Sequence, residues 1–226
     1  MGTLPRMRIL IVGLAALAFV LIGAIVGLVV TSSGGGGSGS VRKLALQPID
    51  LPPEFVLAEE RLYSREELMA ELSADSQIAE QGLKEAIHLT YVSEEDIPIV
   101  DVFVYAYKDE DAAEAAHTFA READPDVLRP LDLGSGMRGY AFLDSLVVEG
   151  IGDGTFVMTG YVDYDDGDEN TVGESLQVQI YFMRSGSARA EVLVAGESIF
   201  LDPQTVARNQ YLRLERPDVV VAPQDP

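Results

Sequence analysis

The chain has 226 residues, 37 Asp and Glu against 16 Lys and Arg, a formal net charge of −21, no cysteine and no tryptophan. Without cysteine there is no disulfide framework and no thiolate-built zinc site, so the fold must rest on its hydrophobic core. The negative excess repels nucleic acid and anionic lipid and disfavours partners recognised through phosphate.

Residues 1–8 are short and basic, with Arg6 and Arg8, and residues 9–30 contain no charge at all. At about 1.5 Å of helical rise per residue, this run covers roughly 33 Å, against a hydrocarbon core of roughly 30 Å. It reads as a transmembrane helix, a form that satisfies its own backbone polar groups in lipid. The flanking arginines put residues 1–8 in the cytoplasm and everything after residue 30 outside, in a single-pass membrane protein. The run is longer than a signal-peptide core, and no small-x-small cleavage site follows Val30, which favours an uncleaved anchor. An outward-facing chain with no cysteine and no N-x-S/T glycosylation acceptor reads as a prokaryotic cell-envelope protein.

Residues 31–53 are expected to be a linker. Residues 31–40, TSSGGGGSGS, form a Gly/Ser tether, and residues 41–53 continue as a proline-punctuated approach. The globular domain is expected over 54–215, with a proline-bearing tail over 216–226. Ser64 and Glu67 form a capping box ahead of Leu68, Met69 and Leu72, which predicts a helix over 65–73, with a second helical stretch over 76–82. Ile87, Leu89 and Tyr91 then alternate with polar neighbours, as in a half-buried strand. After a turn at 93–98, residues 99–107, IVDVFVYAY, give the strongest strand pattern and are expected to be central.

Asp109 is placed to cap a helix over 110–123, whose Ala112, Ala116, Phe119 and Ala120 share one face. Residues 124–140 hold Pro125, Pro130, Gly134, Gly136 and Gly139 and read as a long irregular connection. Strand-like stretches at 146–149, 155–164, 175–184 and 188–195 form an antiparallel meander. Asp202 and Pro203 open a closing helix with Val206, Ala207, Tyr211 and Leu214 on its apolar face. The implied class is α+β, one antiparallel sheet covered by helices.

Few groupings point to chemistry. The acidic loop after Tyr164 offers Asp165, Asp166 and Asp168 as candidate metal ligands, but EF-hand spacing fails there. With Gly167 at position six, the first and twelfth positions fall on Val162 and Gly173, so a hairpin turn is the simpler reading. Gly150-Ile151-Gly152-Asp153-Gly154 lacks dinucleotide-fingerprint spacing and precedes a strand, which makes it a strand-leading turn. His88 and His117 come with no cysteine and no G-x-S-x-G elbow, so no catalytic residue, enzymatic activity or cofactor is assigned. Arg129, Arg138 and Tyr140 flank the glycine-rich connection and could grip an anionic ligand, although arginines in so acidic a chain also find carboxylates for surface ion pairs.

The order of elements resembles a known family. Val102, Val104 and Tyr107 on a strand lead into Ala112, Ala113, Ala116 and Phe119 on a helix. Ile151-Gly152-Asp153 precedes a strand, Arg184-Ser185-Gly186 makes a hairpin, Val192 and Val194 follow, and Val206 and Ala207 sit on the closing helix. This is similar to the extracytoplasmic sensor-type domains of bacterial Ser/Thr kinases and related cell-envelope lipoproteins, over roughly residues 83–214. The resemblance implies a non-catalytic α+β binding domain, and no binding residue is carried over from it. The chain departs from that pattern in lacking cysteines and a preceding kinase. The expected function is therefore a membrane-anchored extracytoplasmic domain that binds a small ligand or an envelope partner and no nucleic acid. A carboxylate-dependent hydrolase and a passive envelope component are the alternatives. Eight residues before the anchor are too few to fold, so any sensing is expected to act through a partner.

Overall fold

The computed structural model describes residues 39–71, 80–93, 99–122, 137–152, 154–164, 174–196 and 201–218. In chain order these form α1 (Gly39–Leu44), a 3-10 turn (Pro48–Asp50), β1 (Phe55–Ser64), α2 (Arg65–Glu71), β2 (Leu83–Ser93), β3 (Ile99–Tyr107) and α3 (Glu110–Glu122). They are followed by β4 (Met137–Val147), β5 (Phe156–Tyr164), β6 (Glu174–Ser185), β7 (Ala188–Ala195) and α4 (Pro203–Glu215). The strands make one seven-stranded sheet in the order β1-β2-β3-β7-β6-β5-β4, antiparallel throughout. β1 to β3 run as a meander, α3 carries the chain to the far edge, and β4 to β7 return as a second meander that docks β7 on β3. β3 is thus interior, but the middle position belongs to β7.

Both faces of the sheet are covered near β3, which is why that strand reads as an unbroken apolar run. Its even positions, Val100, Val102 and Val104, join Ile87, Leu89, Tyr91, Val192 and Val194 in a core closed by Val41 and Leu46 from the N-terminal strap and by Val206, Ala207 and Leu214 of α4. The odd positions, Phe103, Tyr105 and Tyr107, pack with Ala113 and Ala116 of α3 and Leu68 of α2. Further along, Ala120 of α3 meets Phe156, Ile180, Phe182 and Leu193. Small alanines let α3 lie close on the sheet.

The caps form as their residue types require. In the Ser64–Glu67 box, the Ser64 backbone N–H donates to the Glu67 carboxylate at 2.8 Å and the Glu67 N–H donates to the Ser64 hydroxyl at 3.3 Å. The Ser64 backbone and side-chain bonds hold the Glu67 carboxyl below its usual range. Asp109 accepts from the Ala112 N–H at 2.9 Å. Asp202 accepts from the N–H groups of Gln204 and Thr205, with Pro203 opening the helix.

Three expectations need correction. Residues 39–53 are not linker: α1 and the following turn bury Val41, Ala45, Leu46, Asp50 and Leu51 in the core, and residues 38–226 cluster as one unit. Pro48 opens the 3-10 turn, where its missing N–H costs no bond, and Pro52 and Pro53 follow the end of that turn. Residues 80–82 form a turn into β2, not the end of a helix; residues 76–79 lie outside the described part. Residues 137–140, expected within an irregular connection, are strand: Met137 begins β4, whose register shift between Met137 and Tyr140 breaks the alternation that marks a strand; residues 124–136 lie outside the described part. Among the described residues no helix is long and apolar enough to cross a membrane; the apolar run 9–30 lies outside them.

Candidate functional site

Pairing of β2 with β3 sets Thr90 opposite Asp101, His88 opposite Phe103 and Ala86 opposite Tyr105. Because alternate residues share a face, Thr90, Asp101, His88 and Phe103 gather on the α2/α3 side of the sheet. His88 Nε2 lies 3.0 Å from Asp101 Oδ1, the Thr90 hydroxyl donates to the same oxygen at 2.5 Å, and the imidazole stacks on Phe103 at 4.2 Å between ring centres. Asp101 is buried, while the His88 side chain keeps 14% of its surface. Nε2 faces the carboxylate, so Nδ1 is the ring nitrogen turned away from it, and no described residue engages Nδ1. A carboxylate behind an imidazole fixes its tautomer and orientation and leaves the other nitrogen for a ligand. The Thr90 hydroxyl is committed to Asp101, so the group has no free nucleophile. What it offers is an oriented imidazole nitrogen beside an aromatic ring.

A second polar cluster on the same face has a different character. Arg189 pairs with Glu80 at 2.9 Å and Glu191 at 3.0 Å, donates to the Tyr107 hydroxyl at 3.2 Å, and lies 4.4 Å over the Tyr105 ring. Tyr107 in turn donates to Glu80 at 2.6 Å. Burial pushes both phenols well above their usual range and raises the Glu191 carboxyl, with Arg189 opposing it. Each charged group has a partner, the one guanidinium serving two carboxylates, and the cluster ties the 80–82 turn to β3 and β7; it is a brace. On the opposite face, Arg213 grips the buried Asp50 through two bonds of 2.7 Å, Asn209 donates to the Asp50 carbonyl, and Gln210 bonds both Leu44 and Leu46. These contacts fasten the N-terminal strap to α4.

The Gly150–Gly154 stretch is a turn into β5, as its spacing suggested. Gly150, Gly152 and Gly154 have φ of 82°, 66° and 79°, and a Cβ on Gly152 would collide with the Tyr211 ring. The Gly154 carbonyl accepts from His117 Nε2 at 2.8 Å, leaving His117 Nδ1 buried with no partner among the described residues.

Arg129, Asp165, Asp166 and Asp168 lie outside the described residues. Arg138 and Tyr140 sit on β4, an edge strand, with Tyr140 paired to Val162; their side chains are not among those described. Among the described residues no three His, Asp or Glu side chains stand close enough to hold a metal. The His88–Asp101 pair was missed from sequence. Its one visible signal was Asp101, the single charge in the apolar run of β3.

A sheet backed by helices, in this topology, is the architecture of a known extracellular domain. The structure is similar to the crystal structure of the extracellular domain of PknH from Mycobacterium tuberculosis, with a TM-score of 0.53 and 10% sequence identity, over 83% of this chain and 99% of that one. At that identity the likeness is one of fold. No family model and no curated protein matches the chain.

Proposed function

We propose that the chain is a membrane-anchored extracytoplasmic domain that binds a ligand or an envelope partner and performs no chemistry. The observation that carries this reading is the fold likeness, which spans nearly the whole of the extracellular domain of PknH. Two sequence features support it: the uncharged run 9–30 with arginines before it, and the acidic, cysteine-free remainder. The His88–Asp101–Phe103 group presents an oriented imidazole nitrogen beside an aromatic ring, an arrangement that suits a hydrogen-bonded ligand.

The test is a broad hydrolase panel on the purified chain, run alongside a thermal-shift screen of small envelope-derived ligands. The reading expects no turnover, and at least one stabilising ligand whose effect is lost in His88→Ala. Turnover abolished by a single Asp, Glu or His substitution would overturn it in favour of a carboxylate-dependent hydrolase.

A further inference from the structure

On the face of the sheet that carries α4, the helix packs chiefly on β6 and β7. Val157 of β5 lies opposite Tyr181 of β6, and both belong to the core under α4. Alternate residues keep to one face, so the next pairs along these strands, Thr159 with Gln179 and Tyr161 with Gln177, continue that face past the core. Exposure rises in the same direction, from 8% at Val157 to 47% at Tyr161, with Thr159, Gln177 and Gln179 half-buried. Two adjacent pairs without a charge stand out in a chain with 37 Asp and Glu. One member of this block is held in place. The buried Tyr181 donates its hydroxyl hydrogen to Gln179 Oε1 at 2.7 Å, which pins the amide and leaves Nε2 without a partner among the described residues. The Gln177 amide and the Thr159 and Tyr161 hydroxyls make no side-chain hydrogen bond among those residues either.

These groups define the chemistry of an occupant. Amides and hydroxyls both donate and accept hydrogen bonds, as sugar hydroxyls do. A half-exposed phenol ring adds a flat apolar surface whose negative face attracts the polarised C–H groups of a pyranose. An anionic ligand finds no cation in the block, and Asp144 holds the register position opposite Thr159 while Asp163 follows Tyr161 by two on β5, which adds repulsion. A wholly apolar ligand would strip water from the amides and leave them unpaired. The two rows lie about 7 Å apart along the strands, so a sugar ring on Tyr161 brings the hydroxyls of its neighbour in a chain over Thr159 and Gln179. We infer that this block is a binding platform for a neutral polysaccharide, one pyranose ring stacking on Tyr161 and hydroxyls of the chain bonding to Gln177, Gln179 and Thr159. The platform lies on the opposite face of the sheet from the His88 group and depends neither on that group nor on the anchor.

The test titrates the full chain, purified in a sugar-free zwitterionic detergent, into neutral hexasaccharides of glucose, mannose and N-acetylglucosamine. Anionic galacturonic-acid and cationic glucosamine hexamers run beside them, and broadening of the sugar NMR signals reads binding. At least one neutral hexamer is expected to bind, with an affinity that does not change between low and high salt. Tyr161→Ala should weaken it about tenfold while leaving the urea midpoint of the chain in place, because the side chain sits at the surface. Gln179→Glu keeps an oxygen for the Tyr181 hydroxyl and removes only the N–H donors, and should weaken binding about fivefold. His88→Ala should leave it unchanged. Binding by none of the neutral hexamers, binding only of a charged one, or binding that survives Tyr161→Ala and fails in His88→Ala overturns the platform. The last of these outcomes would leave the reading of a non-catalytic binding domain intact.

Discussion

A chain beginning at residue 54 removes the strap that composition marks as linker, and the structure says what that costs. Val41, Leu46 and Leu51 are at most 1% exposed, and burying each contributes about 1.5–3 kcal/mol. Losing Asp50 also strands the buried Arg213 guanidinium, a loss of about 3–5 kcal/mol when one partner of a buried pair is taken away. Together these approach or exceed the roughly 5–15 kcal/mol that holds a typical domain folded. Residues 38–226 should therefore unfold in one cooperative urea transition followed by far-ultraviolet circular dichroism, whereas residues 54–226 should show no transition or a midpoint shifted strongly downward. Equal midpoints and slopes for the two would refute the claim that the strap belongs to the core.

Other consequences can be measured in the same way. Asp50→Leu alone should destabilise by about 3–5 kcal/mol, and adding Arg213→Leu should recover much of the loss, because no unpaired charge then remains buried. Gly152→Ala should cost more than about 1 kcal/mol, since φ is 66° and Tyr211 occupies the space; the added Tyr211→Ala should relieve the collision but not the backbone strain. Burial holds the His117 imidazole below its usual pKa of 6.5, against the Gly154 hydrogen bond and with Arg189, Arg184 and Arg121 adding repulsion. The unfolded chain then binds the proton first, so this contribution is full above about pH 6.5 and is lost as pH falls below it. Urea midpoints of the parent and of His117→Gln from pH 8 to 5 should show the smaller acid sensitivity in the variant.

Local chemistry was legible wherever one signal decided the outcome. The Ser64–Glu67 box, the Asp109 cap and the Asp202–Pro203 start can be read from residue type and spacing, because a short polar side chain at a helix start has one efficient use. β3 was legible because burial on both faces leaves a continuous β-branched and aromatic run. β1 was not, since an edge strand with Glu59, Glu60 and Arg61 exposed looks like a loop and is held by its pairing with β2. α1 escaped because six residues beginning at a glycine have no helical periodicity of their own; packing against α4 and the sheet stabilises it. The His88–Asp101 contact depends on the β2–β3 register, which is decided by pairing across 13 positions and cannot be read from either strand alone.

The central claim is that residues 39–218 form a domain displayed outside the cell on an N-terminal anchor. Two single-cysteine variants test it directly, Ser187→Cys on the β6–β7 hairpin and Thr3→Cys before the apolar run, each probed in spheroplasts with a membrane-impermeant maleimide. The account predicts labelling at 187 in intact spheroplasts and at 3 only after permeabilisation, with both variants sedimenting with the membrane. Labelling at 3 with protection at 187, or recovery of the protein free of the membrane, would contradict it.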